Sequence, residues 1–281
     1  MDDPIALADA RYTERRIEVE PGVSLLLRAW DPLDPSVDWP VVFVPGWISL
    51  PQGWAHMLQA LAARQPVRYL ELREKHTACF SRPMSAADFT IARNAEDLRA
   101  SAPRLGVAPE RAVWVAASLG ATVLLAALAE GLPARAAFLL GPNAHFHFPW
   151  WAVPLTYGPS WLYPPIRDFL IWYLGRFKVD AEREPEQLAR YHRTLHAAEP
   201  TRLKYSARSF AGFEVWPSLP RITTPVGVAW ASSDTLHGEE DVRRLAAELP
   251  QAVPVPCPSN LYLHRADIVP DLDRFLAELT G

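Results

Sequence analysis

Only two of the 281 residues are cysteine, Cys79 and Cys257, so no disulfide framework can staple a chain of this length and a reducing compartment is expected. An excess of basic charge is also missing. The 28 Lys+Arg stand against 32 Asp+Glu, a formal net charge of -4, which offers no counterion-releasing field to a phosphate backbone. No nucleic acid partner is therefore expected. Residues 1–10 lack a basic stretch followed by an apolar one, so no secretory signal is read there and a cytoplasmic location is expected. A long unbroken apolar run is absent too. The nearest, residues 146–166, holds no Asp, Glu, Lys or Arg, but Pro149, Pro154, Pro159, Pro164 and Pro165 interrupt it. Lipid tolerates no such unpaired backbone, and no integral membrane segment is expected. No GxGxxG or Walker loop supports a nucleotide cofactor. Neither an internal repeat, a Gly/Ser linker nor a block of like charge divides the chain.

What is present is enough apolar surface to fold: 49% of residues are hydrophobic and 21% charged, which excludes low-complexity disorder. The length allows one large α/β domain with an insertion or two smaller domains. Short continuous apolar runs at Val41–Val44, 67–72, 112–117 and Ala136–Leu140 predict strands buried on both faces, because they do not alternate in period two. Helical spacing fills the intervals at 54–64, 86–104 and 120–130. This β-α-β-α rhythm predicts a parallel sheet with right-handed crossovers. It stops at about residue 145. A Trp, Tyr and Pro rich segment follows, then two predicted helices at 186–198 and 201–210. The rhythm resumes with a strand at 225–232, a helix at 239–249, a strand at 252–256 and a helix at 267–279. Residues 145–216 thus read as an insertion into a single core made of 1–144 and 217–281.

Chemistry concentrates at Ala116-Ala117-Ser118-Leu119-Gly120, where a buried strand turns at a serine directly into a helix. A hydroxyl there stands clear of the sheet, and the next N–H lies at a helix N-terminus that favours negative charge. The turn is so sharp that the residues two before and two after must be small, as Ala116 and Gly120 are. Serine is also a common helix N-cap, so the pentad alone leaves capping open.

The pentad resembles the GxSxG nucleophile elbow of the α/β-hydrolase superfamily, with Ala116 at the first glycine position. The resemblance extends over residues 39–281 outside the insertion. It implies an α/β-hydrolase fold, a mostly parallel sheet flanked by helices, with a mainly helical cap, residues 145–216, inserted after the sixth strand. It also implies the chain order Ser, acid, His. Asp234, just past the strand at 225–232, matches the acid, and His264, expected in the loop after the last strand, matches the base. Asp241, Asp267 and His237 compete weakly because they lie in or beside predicted helices. The loop Val44-Pro45-Gly46-Trp47-Ile48 resembles the His-Gly-x loop, with Pro45 where histidine is frequent, which makes the backbone N–H groups of Trp47 and Leu119 the implied oxyanion donors. Arg73 keeps one position of a further stretch of the superfamily and is expected to be an ion-paired anchor. Asn143 is a possible neighbour of the site without an assigned role.

The resemblance implies hydrolysis of a carboxylic ester or related acyl bond through an acyl-enzyme, with no cofactor. Ser118 would attack, His264 would carry the proton and Asp234 would hold the imidazole tautomer. The same constellation serves thioesterases and acyltransferases, and a non-catalytic hydrolase-like binding protein is the rival from another class. The pairs His145/His147 and His192/His196 have ligand-like spacing but no third ligand nearby, so no metal is expected. Aromatic residues of the insertion, Trp150, Trp151, Trp161 and Trp172 among them, are expected either to glue the cap to the core or to line a substrate pocket. In the second case the small-molecule acyl substrate has an apolar part. Docking of the segment on a membrane is disfavoured by its lack of flanking basic residues.

Overall fold

The computed structural model describes residues 9–146, 153–177, 185–231 and 238–279. Strands β3 (Val41–Val44), β4 (Val67–Leu70), β6 (Val113–Ala117), β7 (Ala136–Leu140), β8 (Val226–Ala231) and β9 (Ala252–Cys257) run parallel, as their uninterrupted apolar character predicts. The hairpin β1 (Ala10–Glu20) and β2 (Val23–Pro32) adds an antiparallel end, and the two-residue β5 (Cys79–Phe80) pairs with β2. The strand order is β1-β2-β4-β3-β6-β7-β8-β9, and β9 lies at one edge.

Each central strand divides its side chains between two apolar layers. Val42, Val44, Trp114 and Ala116 pack on one face with α2 (Ile91–Ser101), α3 (Leu119–Ala129) and α7 (Glu239–Glu248). Val41, Phe43, Val113 and Val115 pack on the other with α1 (Ala55–Ala62) and α9 (Val269–Glu278). Helices on both faces of a parallel sheet make the fold α/β.

Three differences from the sequence reading have physical causes. The helix predicted at 86–104 is broken at Thr90, whose extended backbone and side-chain oxygen, accepting from the Arg93 N–H, cap α2 anew. The insertion contains an unpredicted helix, α4 (Tyr163–Phe177), because Pro164 and Pro165 fall in its first turn, where their missing N–H groups have no intrahelical acceptor to lose. It precedes α5 (Pro185–Ala197) and α6 (Pro200–Phe210). His264 is the last residue of a short helix, α8 (Asn260–His264), instead of a loop residue; the Ser259 hydroxyl accepts from the Tyr262 N–H and caps it. The inserted segment follows β7 in chain order, since β5 adds one to the strand count. Among the described residues no helix is long and apolar enough to cross a membrane.

Candidate active site

Ser118 joins β6 to α3 with φ 48° and ψ -117°. A non-glycine residue in that region stores about 1–3 kcal/mol of strain, and it persists only where its surroundings hold it. They do so from both sides: the Ser118 N–H donates to the Leu140 carbonyl at 3.0 Å, and its own carbonyl accepts from the N–H groups of Ala121 and Thr122 at 3.0 and 3.2 Å. Ala116 stays out of the positive-φ region, so alanine at the first glycine position of the elbow is unstrained. Gly120 has no such latitude. A Cβ there would lie 2.4 Å from the Val44 carbonyl oxygen and 2.5 Å from that of Pro45.

The loop after β3 presses against the elbow, since a Cβ on Gly46 would come within 3.2 Å of the Ser118 Cβ. Ile48 in this loop has φ 49°, the only other positive-φ residue besides glycines among the described residues. Trp47 is anchored by its indole N–H, which donates to the Ser206 hydroxyl of α6 at 2.9 Å. Asn143 donates to the Ser118 Oγ at 3.2 Å while its carbonyl accepts from the Thr122 hydroxyl at 2.7 Å. The Leu119 N–H, the first of α3, has no acceptor within the helix, which leaves it available to a developing negative charge.

Lys75 is a residue the sequence reading overlooked. Its ammonium donates to the Gly46 carbonyl at 2.8 Å and pairs with the Glu74 carboxylate at 2.9 Å, with side chains only 6% and 2% exposed. It braces the loop from a neighbouring segment. That segment is clamped in turn by Arg202 of α6, whose guanidinium donates to the carbonyls of Arg73, Lys75 and Ala78 at 3.2, 2.6 and 2.8 Å. Arg73 itself is buried and ion-paired, donating to Asp97 at 2.8 Å and to Glu20 at 3.1 Å.

His264 follows the carboxyl end of β9, the same sheet edge that carries Ser118 after β6 and Gly46 after β3. Its imidazole stacks on the Trp54 ring with centroids 3.9 Å apart, and the Trp54 indole donates to the Ser49 hydroxyl at 2.8 Å. Asp234, Trp150, Trp151 and His147 lie outside the described residues. The buried Cys257 thiol is pushed up to about 12, first by desolvation and then by Asp271, so it is no rival nucleophile. His192 and His196 stack with ring centroids 4.3 Å apart, and among the described residues no group of three or more His, Cys, Asp or Glu is placed to hold a metal.

A cavity of about 180 Å³ opens beside the loop after β3. Trp47 and Ile48 form one wall, and Ile166 and Leu170 of α4, Leu195 of α5 and Leu203 of α6 form the others. Trp161 and Trp172 do not line it: they are 75% and 57% exposed. The α4 face turned to the cavity carries Tyr163, Ile166 and Leu170, and Trp172, two residues beyond Leu170, points to the opposite side, where it packs on Phe169 and Phe177.

This arrangement of sheet, elbow and inserted helices is the α/β-hydrolase fold. Solved structures share it over nearly the whole chain. A thermophilic esterase from Thermogutta terrifontis superposes with a TM-score of 0.74 at 19% identity, over 97% of this chain and 100% of that one. An enol-lactonase from Burkholderia xenovorans LB400 gives 0.73 at 19% identity over 95% and 100%, and an α/β hydrolase from Sphaerobacter thermophilus gives 0.70 at 19% over 93% and 100%. No protein-family profile matches the sequence, and neither does any curated protein.

Proposed function

We propose that the protein is a serine hydrolase that cleaves a carboxylic ester or related acyl bond through an acyl-enzyme. The observation that carries this reading is the strained φ of Ser118 at the strand-to-helix turn, packed against the Gly46 backbone. Strain held from both sides at a nucleophilic hydroxyl fits a site and has no use in a helix cap. In this reading Ser118 attacks the acyl carbon, and His264 takes the hydroxyl proton and returns it to the leaving group. Asp234 orients the imidazole, and the N–H groups of Trp47 and Leu119 receive the oxyanion. Asn143 holds the Ser118 hydroxyl before attack. Residues 145–216 act as a cap, and the anchoring of Trp47 on Ser206 supports their direct bearing on the oxyanion loop. The apolar cavity beside that loop takes the acyl group. An apolar cavity of about 150 Å³ accepts benzene, so 180 Å³ suits an acyl chain of similar bulk.

A fluorophosphonate probe should label the folded protein, and Ser118→Ala should abolish both labelling and hydrolysis of p-nitrophenyl hexanoate, with a loss in kcat of ~10⁴-fold or more. An unlabelled, folded wild-type protein would point to the ligand-binding rival instead.

A further inference from the structure

A second cavity, of about 570 Å³, lies between the segment Leu50, Gln52 and Gly53 and helix α5. It is the more polar of the two. Leu195 of α5 faces the apolar cavity, whereas Arg190, His192, Arg193 and His196 face this one, and no carboxylate is among its described lining residues. Some guanidinium groups of the surface are matched by acids, as Arg64 is by Asp273 and Arg265 by Glu186, whereas Arg208 donates to a backbone carbonyl. Among the described residues no carboxylate pairs with Arg193. The His196 imidazole is held below its usual value by desolvation and then by Arg167 and His192, opposed by Asp168, so it adds no positive charge at neutral pH.

The position of this cavity relative to the site determines what it can hold. Gly53 precedes Trp54, on which His264 stacks, and Arg190 donates to the Asn260 side chain at 2.7 Å, on the same short helix as His264. The basic cavity is therefore on the imidazole side, while the apolar cavity borders the oxyanion loop. In acyl transfer the imidazole delivers its proton to the departing atom, so the leaving group lies beside it and the acyl group beyond.

We propose that the cavity between residues 50–53 and α5 binds the leaving group of the substrate, and that this alcohol or thiol carries an anionic group, a phosphate or a carboxylate, held by Arg193. The assignment rests on the acyl-hydrolase reading above. As the bond from Ser118 Oγ to the acyl carbon forms, the bond from that carbon to the leaving oxygen or sulfur breaks, and His264 passes the serine proton to it. Water then cleaves the acyl-serine, giving the free acid. At 570 Å³ the cavity falls within the range of about 300–1,000 Å³ usual for small-molecule sites.

The test uses three hexanoyl esters that differ only in the meta substituent of the leaving phenol, neutral in that of 3-hydroxybenzamide and anionic in those of 3-hydroxybenzoate and 3-hydroxyphenyl phosphate. At least one anionic ester should exceed the amide in kcat/KM by about tenfold or more, as a charge-assisted contact allows, and whichever does so tells carboxylate from phosphate. The ratio should collapse in Arg193→Gln, mainly through KM, be partly kept in Arg193→Lys, and shrink in the wild type as salt is raised. Equal rates for the three esters, or a preference that survives in both Arg193→Gln and Arg193→Glu, overturns the assignment while leaving the hydrolase reading intact. Failure to cleave any of the three, together with absence of fluorophosphonate labelling, overturns the hydrolase reading and this assignment with it.

Discussion

Replacing Gly120 with alanine isolates the contact between the elbow and the loop that follows β3. The added Cβ would meet the carbonyl oxygens of Val44 and Pro45 at 2.4 and 2.5 Å, where ordinary contact begins at 3.4 Å, a shortfall of about 1 Å against backbone on both sides. No side chain can rotate away to relieve it. The helix start or the loop must move, and overpacking of this kind costs about 1–3 kcal/mol in stability. The functional loss should be larger than the loss of stability suggests. The displaced carbonyls immediately precede Gly46 and Trp47, so the loop shifts relative to Ser118, and misplacement by about 1 Å can cost ~10²-fold in rate. Urea denaturation and the kcat for p-nitrophenyl hexanoate read the two effects separately. Ala116→Gly is the matched control: its backbone is ordinary, so it should lose only about 0.5–1 kcal/mol of stability and little rate. A folded Gly120→Ala protein with wild-type kcat would refute the reasoning, because the two backbones would then not be locked together.

Lys75→Met should strand the Glu74 carboxylate in the interior, at about 3–5 kcal/mol by urea denaturation, and lower kcat more than it raises KM. Adding Glu74→Gln should recover stability without restoring kcat, since the Gly46 carbonyl stays unbraced. The acid limb of stability supplies another check. Against its burial, hydrogen bonds from Arg82 and from the Ser85 N–H and hydroxyl hold the Asp88 carboxyl down at about 2. A folded value below the unfolded one means stabilisation that is complete above about pH 4 and lost as pH falls toward 2. The difference in stability between wild type and Asp88→Asn, followed by urea titration at several pH values, should therefore narrow across that window.

The interior of the sheet was legible because its strands are buried on both faces: β3 and β7 begin and end where their apolar runs do. β1 was not, since most of its residues are exposed and its charges mask any pattern. The elbow announced itself through small residues around Ser118, a local steric demand. Lys75 left no such mark, because what it touches lies 29 residues away in the chain and depends on strand order; Asn143 was placed near the site by its position after a strand, but nothing local disclosed its contact with Ser118, 25 residues away. A helix as short as α8 carries too few turns for periodicity to show, so His264 read as a loop residue. Trp161 and Trp172 show the limit of composition: it locates aromatic rings in a segment but not the side toward which they turn.

The outermost strand has a bearing on how the molecule keeps its own company. β9 contains Pro254 and Pro256, two residues apart, so their nitrogens address the same flank, the one turned away from β8. A proline nitrogen cannot donate, and an approaching strand from another molecule would find two rungs of its ladder missing. Sheet-to-sheet polymerisation through this flank is thus blocked by the chain's own covalent chemistry, independently of charge or salt.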